Sequence, residues 1–364
     1  VPTQTHPTGS GSMTQALVDA ATVAGHAPSI LNTQPWRWRI ARNRLDLFID
    51  HDRVLDISDP DALLATLSCG AALHHARIGL AAQGWHVTVT RMPDPADPGH
   101  LARLRVDGRA PVELQAVRRT HTIRLRRTDR RPVTGLPVGS DDLGAISAAA
   151  RAEATLLHVL RPDQVVDLAA ATSHAQETET AEPAWQAELA YWTGGSRPAG
   201  TGIPDTAIPL HAPQTTVPGR DFGHHGDLPI STRHDHNATY AVLYGRADQP
   251  MDWLRAGEAL STAWLTATEL GVSVLPISAP VEVADSRQTI RRLVANLGHP
   301  YLVLRFGMLD TDDPGPAHAP RLPADQTIDP PPPADFRSGT APVGRPINRK
   351  GDGRHEPTSP LTPR

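Results

Sequence analysis

The sequence predicts an α+β fold with a self-similar interior and an unfolded end. Three observations carry that prediction. Helix-like and strand-like segments alternate, but without the strict strand–helix–strand beat of a doubly wound sheet. A pattern at 70–87 returns at 257–274. Beyond residue 310 the apolar periodicity stops.

The elements follow from period and punctuation. Helical spacing of apolar residues marks 14–25, 62–83, 140–150, 183–192, 251–270 and 286–297. Strand-like runs occupy 36–40, 45–50, 86–91, 101–106, 155–160, 239–244, 272–276 and 301–306. Residues 193–236 are rich in Gly, Pro, Asp and His and show little period. A loop of that length inside a compact domain is usually a functional lid or an unfolded segment. The tail, 311–364, holds 13 prolines in 54 residues and reads as disordered. A docking ligand for a Pro-binding module is the other use of such a tail. Residues 1–12 are polar and Pro/Gly/Ser-rich, and also read as disordered.

The repeat has a constant offset. Gly70 maps to Gly257, Leu73 to Leu260, Ala76 to Ala263, Gly84 to Gly271 and Val87 to Val274. Each copy reads as an Ala-rich buried helix, ended by a Gly cap, that feeds a strand. Coincidence among Ala-rich helices is the plain reading. The fuller reading is two fused halves, 13–117 and 118–310, packed as an internal pseudo-dimer.

Composition excludes several classes. The 364 residues suggest about two domain-sized units at about 150 residues each. Only 4% are aromatic against 39% apolar, so the core must be mostly Ala, Leu and Val. A net charge of −4 argues against a nucleic-acid or membrane-surface protein. No run approaches the ~18 apolar residues of a membrane span. Cys69 is the only cysteine, so neither an intrachain disulfide nor a Cys-based zinc site is available. The N-terminal residues lack the apolar stretch of a signal peptide, so a cytoplasmic protein is expected. Of 35 basic residues 34 are Arg, so an Arg in place of a Lys carries little meaning.

Two segments carry chemistry. The first runs from His26 to Trp38. Pro28 and Pro35 restrict its backbone, and Ser29, Asn32, Thr33 and Gln34 crowd hydroxyl and amide groups between them. Such groups suit the polar edge of a planar heterocycle. A capped turn before a strand would look the same. The second, 118–132, holds seven Arg and one acid, Asp129. Clustered guanidinium forks beside a hydroxyl form a phosphate cradle. A solvated basic stretch is the alternative. His224, His225, His234 and His236 sit in the irregular stretch, but no metal is assigned to them. Walker loops and dinucleotide fingerprints are missing from the sequence.

Together these segments resemble a known family. His26-Ala27-Pro28-Ser29 with Asn32-Thr33-Gln34-Pro35-Trp36 resembles the flavin-contacting loop of the nitroreductase fold. Arg126-Arg127-Thr128-Asp129-Arg130-Arg131-Pro132 resembles its FMN-phosphate segment. Ser68-Cys69-Gly70-Ala71-Ala72-Leu73, Trp192, Gly202-Ile203-Pro204 and Glu258-Ala259-Leu260 look like its fused two-repeat branch, the Acg family. The resemblance implies a single FMN per chain, held between the halves, because the loop lies in one half and the arginines in the other. It implies a phosphate site at Arg126, Arg127, Thr128 and Arg130. It places Pro28, Ser29 and Asn32, with Gln34 nearby, at the flavin edge. Pro276, Ile277 and Ser278 are expected near N5, and Arg305 at the phosphate end. It implies NAD(P)H as donor and a small acceptor such as a nitroaromatic or quinone. No catalytic side chain is assigned, since the cofactor does the redox chemistry. The alternative is an FMN-binding or FMN-storing protein whose lid, 193–236, covers the flavin. The internal pseudo-dimer implies a monomer. Two departures stand out: Asp129 among the phosphate residues, and Phe306-Gly307-Met308-Leu309 in place of Gly-Tyr-Gly at the last strand.

Overall fold

The computed structural model of the chain describes residues 9–194, 197–308 and 315–329, with the backbone alone for 9–12. All of them belong to one unit, Val1–Pro331. Two antiparallel four-stranded sheets form its framework, which fits the α+β expectation.

The first sheet contains β1 (Trp36–Ala41), β2 (Arg44–Ile49), β3 (Trp85–Arg91) and β4 (His100–Arg109), in the order β1-β2-β4-β3. Helices α1 (Gly9–Ala24) and α2 (Leu63–Ala82) cover it. The second contains β5 (Leu156–Val159), β6 (Thr239–Gly245), β7 (Val272–Ile277) and β8 (His299–Met308), in the order β5-β6-β8-β7. Between the sheets in sequence come α3 (Leu114–Leu125) and α4 (Ser140–Ala152). Then follow α5 (Pro162–Ala181), α6 (Pro183–Thr193), α7 (Pro250–Glu269), α8 (Ala279–Glu282) and α9 (Ala284–Leu293).

All eight expected strands are present, within a residue or two except β4, which runs three residues further than expected. Three helices were not expected: α3, α5 and the short α8. The buried stripe of α5 is Gln164, Leu168, Ala171, Thr172, Ala175 and Glu179. Only one of these is a large apolar residue, so the helical period is nearly silent in hydropathy. In α3 the basic run masks a buried face of Ala116, Thr122 and Ile123.

Helices α2 and α7 cross at the centre. A Cβ on Gly70 would run into the Leu254 carbonyl, and one on Gly257 into that of Leu67. Gly70 and Gly257 therefore meet at one close backbone approach. Leu254 of α7 enters the core under the first sheet, while Leu63, Leu64 and Leu67 of α2 enter the core of the second. Buried Glu258 of α7 pairs with Arg77 of α2 at 2.7 Å and Arg91 of β3 at 2.6 Å. No helix among the described residues is long and apolar enough to cross a membrane.

Both expected chain ends need correction. The first helix begins at Gly9, not at 14, and takes in residues expected to be disordered. The Pro-rich tail was expected to be unfolded from 311, yet 315–329 lies on the protein. Trp38 N–H donates to the Thr327 carbonyl, and Asp329 N–H to that of Trp38, both at 2.8 Å. An extended strap needs no helical period and tolerates proline at a sheet edge, so composition alone could not exclude it. The rest of the expected tail, 311–314 and 330–364, and the N-terminal 1–8 lie outside the described residues.

Candidate active site

The loop before β1 is wound tightly. Leu31, Asn32 and Gln34 have φ of 40°, 56° and 54°. The left-handed region costs a side-chain-bearing residue about 1–2 kcal/mol. Hydrogen bonds hold the loop there. Ser29 Oγ accepts the Gln34 N–H at 3.0 Å, and Ser68 Oγ of α2 accepts the Ile30 N–H at 3.1 Å. Asn32 Nδ2 donates to the carbonyls of Gly202 and Pro320, both at 3.0 Å. Gln34 Nε2 donates to the Gly200 carbonyl at 2.8 Å, and its Oε1 accepts the Leu322 N–H at 3.0 Å. Two amides thus sew the loop to the irregular stretch and to the C-terminal strap.

The arginine segment leaves α3 and runs along β7. Thr128 forms a parallel bridge with Val274, and the Asp129 N–H donates to the Val274 carbonyl at 3.3 Å. Asp129 turns away and pairs with Arg131 at 2.7 Å. Its charge is committed to Arg131 and acts on Arg130 only through space. Arg126 is 4% exposed, and its guanidinium lies over the Trp264 ring at 4.4 Å. Arg126 Nε and Nη1 are buried with no hydrogen-bond partner among the described residues. Arg130 Nη1 donates to the Ala207 carbonyl at 3.2 Å, and Arg127 Nε contacts His318 Nε2 at 3.1 Å.

These two segments face each other across a cavity. A mouth of about 570 Å³ is lined by Asn32, Arg126, Arg127, Arg130, His318 and Arg321. It shares Pro28, Ser29, Leu31, Thr128, Arg130 and Ile203 with an adjoining chamber of about 1110 Å³. Leu67, Leu260, Trp264 and Leu275 give the chamber apolar walls. Val217, Arg220 and Phe222 of the irregular stretch close another side.

The mouth is starved of negative charge. Burial, reinforced by Arg321, lowers the Arg126 pKa to about 9. Burial first, then Arg220, lowers Arg130 to about 10, and burial lowers Arg321 to about 10. Burial and the neighbouring arginines also depress His26 and His318. Buried, unpaired guanidinium groups are costly unless an anion joins them. A flat apolar group with an anionic tail fits both compartments.

The expected site residues are mostly brought together. Pro28, Ser29, Thr128 and Arg130 line both compartments, Asn32, Arg126 and Arg127 the mouth, and Pro276, Ile277, Ser278 and Arg305 the chamber. Gln34 lines neither; its amide is spent on Gly200 and Leu322. Arg305 does not reach the mouth. Its Nη2 donates to the carbonyls of Asp129 at 3.0 Å and Arg131 at 2.6 Å, bracing the arginine segment from beneath. Sequence reasoning missed Arg321 and His318, which lie in the tail set aside for its prolines. It also missed Arg220, inside the stretch without period. Among the described residues no three metal-ligating side chains converge.

Relatives now place this geometry. A Mycobacterium tuberculosis protein named "Putative NAD(P)H nitroreductase Rv3131" is 37% identical over 294 residues, covering 79% of this chain and 83% of its own. Another, "Putative NAD(P)H nitroreductase acg", is 31% identical over 317 residues, covering 86% and 96%. The chain belongs to the nitroreductase family, in its Acg-type branch. No family model matches the sequence. Among solved structures, a nitroreductase-class protein of Anabaena variabilis overlaps 84% of this chain and 90% of its own, with a TM-score of 0.44 and 9% identity. That overlap is too loose to carry a cofactor or an activity across.

Proposed function

We propose that this chain is an FMN-dependent oxidoreductase of the nitroreductase type. It takes hydride from NAD(P)H and delivers it to a small acceptor such as a nitroaromatic or a quinone. One observation carries the reading: the buried Arg126, with two unpartnered guanidinium nitrogens, stands where an apolar chamber opens into a cationic mouth. The first relatives bear NAD(P)H nitroreductase names, which supports the same reading.

In this reading Arg126, Arg127, Thr128 and Arg130 hold the phosphate, with Arg321 added from the strap. Pro28, Ser29 and Asn32 bound the near end of the heterocycle, and 276–278 form the far wall. The bound flavin supplies the two-electron chemistry. The chain's residues supply the rest. Leu67, Leu260 and Trp264 exclude water, which strengthens every polar contact inside. The amides of Asn32 and Gln34 hold a strained loop ready before any ligand arrives, so less ordering is needed on binding.

The mouth takes its loop from one half and its arginines from the other, so one FMN per chain is proposed. An internal pseudo-dimer rests on two supports: the facing Gly70 and Gly257, and the matching strand order of the two sheets. A monomer follows, because the composite site needs no second chain. A cytoplasmic setting agrees with a single cysteine whose thiol is buried and raised in pKa by that burial.

The test is a titration with FMN followed by anaerobic NADH or NADPH. Saturation at one equivalent, then bleaching, is the expected result. A second reading, a flavin-storing protein, draws on Val217, Arg220 and Phe222, which wall the chamber from the irregular stretch. It predicts a bound flavin that dithionite reduces and nicotinamide donors do not. A chain that refuses FMN would overturn both.

A further inference from the structure

We propose that Glu179 and Glu282, gathered by Arg220 behind the chamber wall, hold the proton that an acceptor takes up in the chamber, and deliver it past Ser278. The inference rests on the oxidoreductase reading and adds a group that reading leaves without a role.

The geometry is that of two carboxyls around one guanidinium. Arg220 Nη2 donates to Glu282 Oε1 at 2.5 Å and to Ser278 Oγ at 3.3 Å, and Nη1 donates to Glu179 Oε2 at 3.3 Å. The side chains of Glu282, Glu179 and Arg220 are 1%, 6% and 11% exposed. One positive charge cannot balance two buried negative ones, so a shared proton is favoured. Each carboxyl keeps one buried oxygen that no other group's donor reaches, Glu179 Oε1 and Glu282 Oε2, and the two carboxyls lie within hydrogen-bond reach of each other. An ion pair built only for stability would use those oxygens. Burial, more than the neighbouring Glu282, raises Glu179 to about 7, while Arg220 pulls the other way. Other charges face the cluster. Glu188 of α6 and Arg130 act on Arg220, and Asp59 before α2 acts on Glu282.

The cluster sits between two cavities. Arg220 and Ser278 line the chamber. Glu282 also lines a separate polar cleft of about 970 Å³, with Asp59, Asp61, Arg287 and Arg291. The cleft rim includes exposed Asp61 and Gln288, so water can recharge the pair from outside. Two-electron reduction of a quinone needs two protons. The hydride brings one hydrogen with both electrons, and NAD(P)H is the reductant. The second proton leaves the carboxyl pair, passes the Ser278 hydroxyl and reaches the reduced acceptor's oxygen. Water from the cleft then restores the carboxyl.

The test uses FMN-loaded protein reduced by dithionite, so that it does not depend on a nicotinamide donor. The reduced protein is mixed with a quinone, which takes up protons, and with ferricyanide, which does not. The wild-type quinone rate is expected to fall as pH rises through about 7. Glu179→Gln is expected to slow the quinone about 100-fold at low pH and to flatten that profile. Its ferricyanide rate and FMN affinity should stay within about twofold of wild type. Ser278→Ala, which leaves the pair intact but alters the chamber wall, should slow the quinone more than ferricyanide. Infrared difference spectra of the flavin-free chain should show protonated carboxyl absorption that ionises near pH 7, part of it from Asp59, and the part due to the pair should be lost in Glu179→Gln. An unchanged quinone profile in both variants, or equal slowing of both acceptors, would overturn the inference while leaving flavin binding intact. The missing infrared band would do so even where a variant fails to fold. Failure of wild type to bind FMN would instead strike the reading beneath it.

Discussion

Replacing Arg126 by Met should move two quantities in opposite directions. Burial lowers the arginine well below its usual range, to about 9, so its charged form is destabilised when no anion is present. A phosphate bound at Arg126 would occupy Nε and Nη1, both now without partners. Hydrogen bonds to charged groups contribute about 1.5–3 kcal/mol each. Two of them give about 3–6 kcal/mol, so FMN should bind about 100-fold to 10,000-fold more weakly to Arg126→Met. The flavin-free variant should gain stability, because replacing a buried unpaired charge with an apolar side chain is worth about 1–4 kcal/mol. Loss of the contact over Trp264 offsets about 1 kcal/mol of that. The net gain of about 0–3 kcal/mol should leave the melting temperature unchanged or raise it by up to about 10 °C without flavin. Fluorescence titration with FMN and with riboflavin separates the phosphate from the ring, since riboflavin lacks the phosphate and should be unaffected. Wild-type FMN affinity in the variant, or an equal loss of riboflavin, would refute the reasoning.

Three other outcomes are expected. Gly257→Ala forces a methyl into the Leu67 carbonyl at the α2–α7 crossing, and should lower unfolding free energy in urea by about 1–3 kcal/mol or more. Arg305→Met leaves the carbonyls of Asp129 and Arg131 without their donor and Asp235 without its cation; about 3–5 kcal/mol of stability should be lost, together with flavin affinity. Glu179 is raised from 4.5 to about 7, so the folded chain binds its proton more tightly than the unfolded chain does. That stability is complete below about pH 4.5 and is lost as pH rises through about 7. Asp59, also raised to about 7 by burial, adds to the same slope. Urea midpoints should therefore fall from about pH 5 to about pH 7 and level off above that, and fall less steeply in Glu179→Gln.

Much of the site was legible because its residue types are unusual where they stand. Two prolines bracketing a run of amides, and seven arginines in fifteen residues, are visible without coordinates. The glycines at 70 and 257 were legible as a spacing, and the structure supplies the reason: no side chain fits at the crossing. Other features leave no local trace. Arg321 is one basic residue in a Pro-rich segment, and only the path of the strap brings it to Asn32 Oδ1, at 2.8 Å. Arg220 lies in a stretch whose order comes from tertiary anchors, including Leu31, Leu55, Trp192 and Phe222 packed into one cluster. Gln34 misled for the opposite reason. An amide in a binding loop looks like a ligand, yet this one is used up in holding the loop. Arg305 likewise looks like a phosphate ligand until its two carbonyl partners are seen.

The most direct test of the central claim is an anaerobic FMN titration of the purified chain, followed by addition of NADPH or NADH. The account predicts saturation at one FMN per chain and then loss of the yellow colour. Two flavins per chain would contradict the composite site. A chain that stays colourless with excess FMN would contradict the account as a whole.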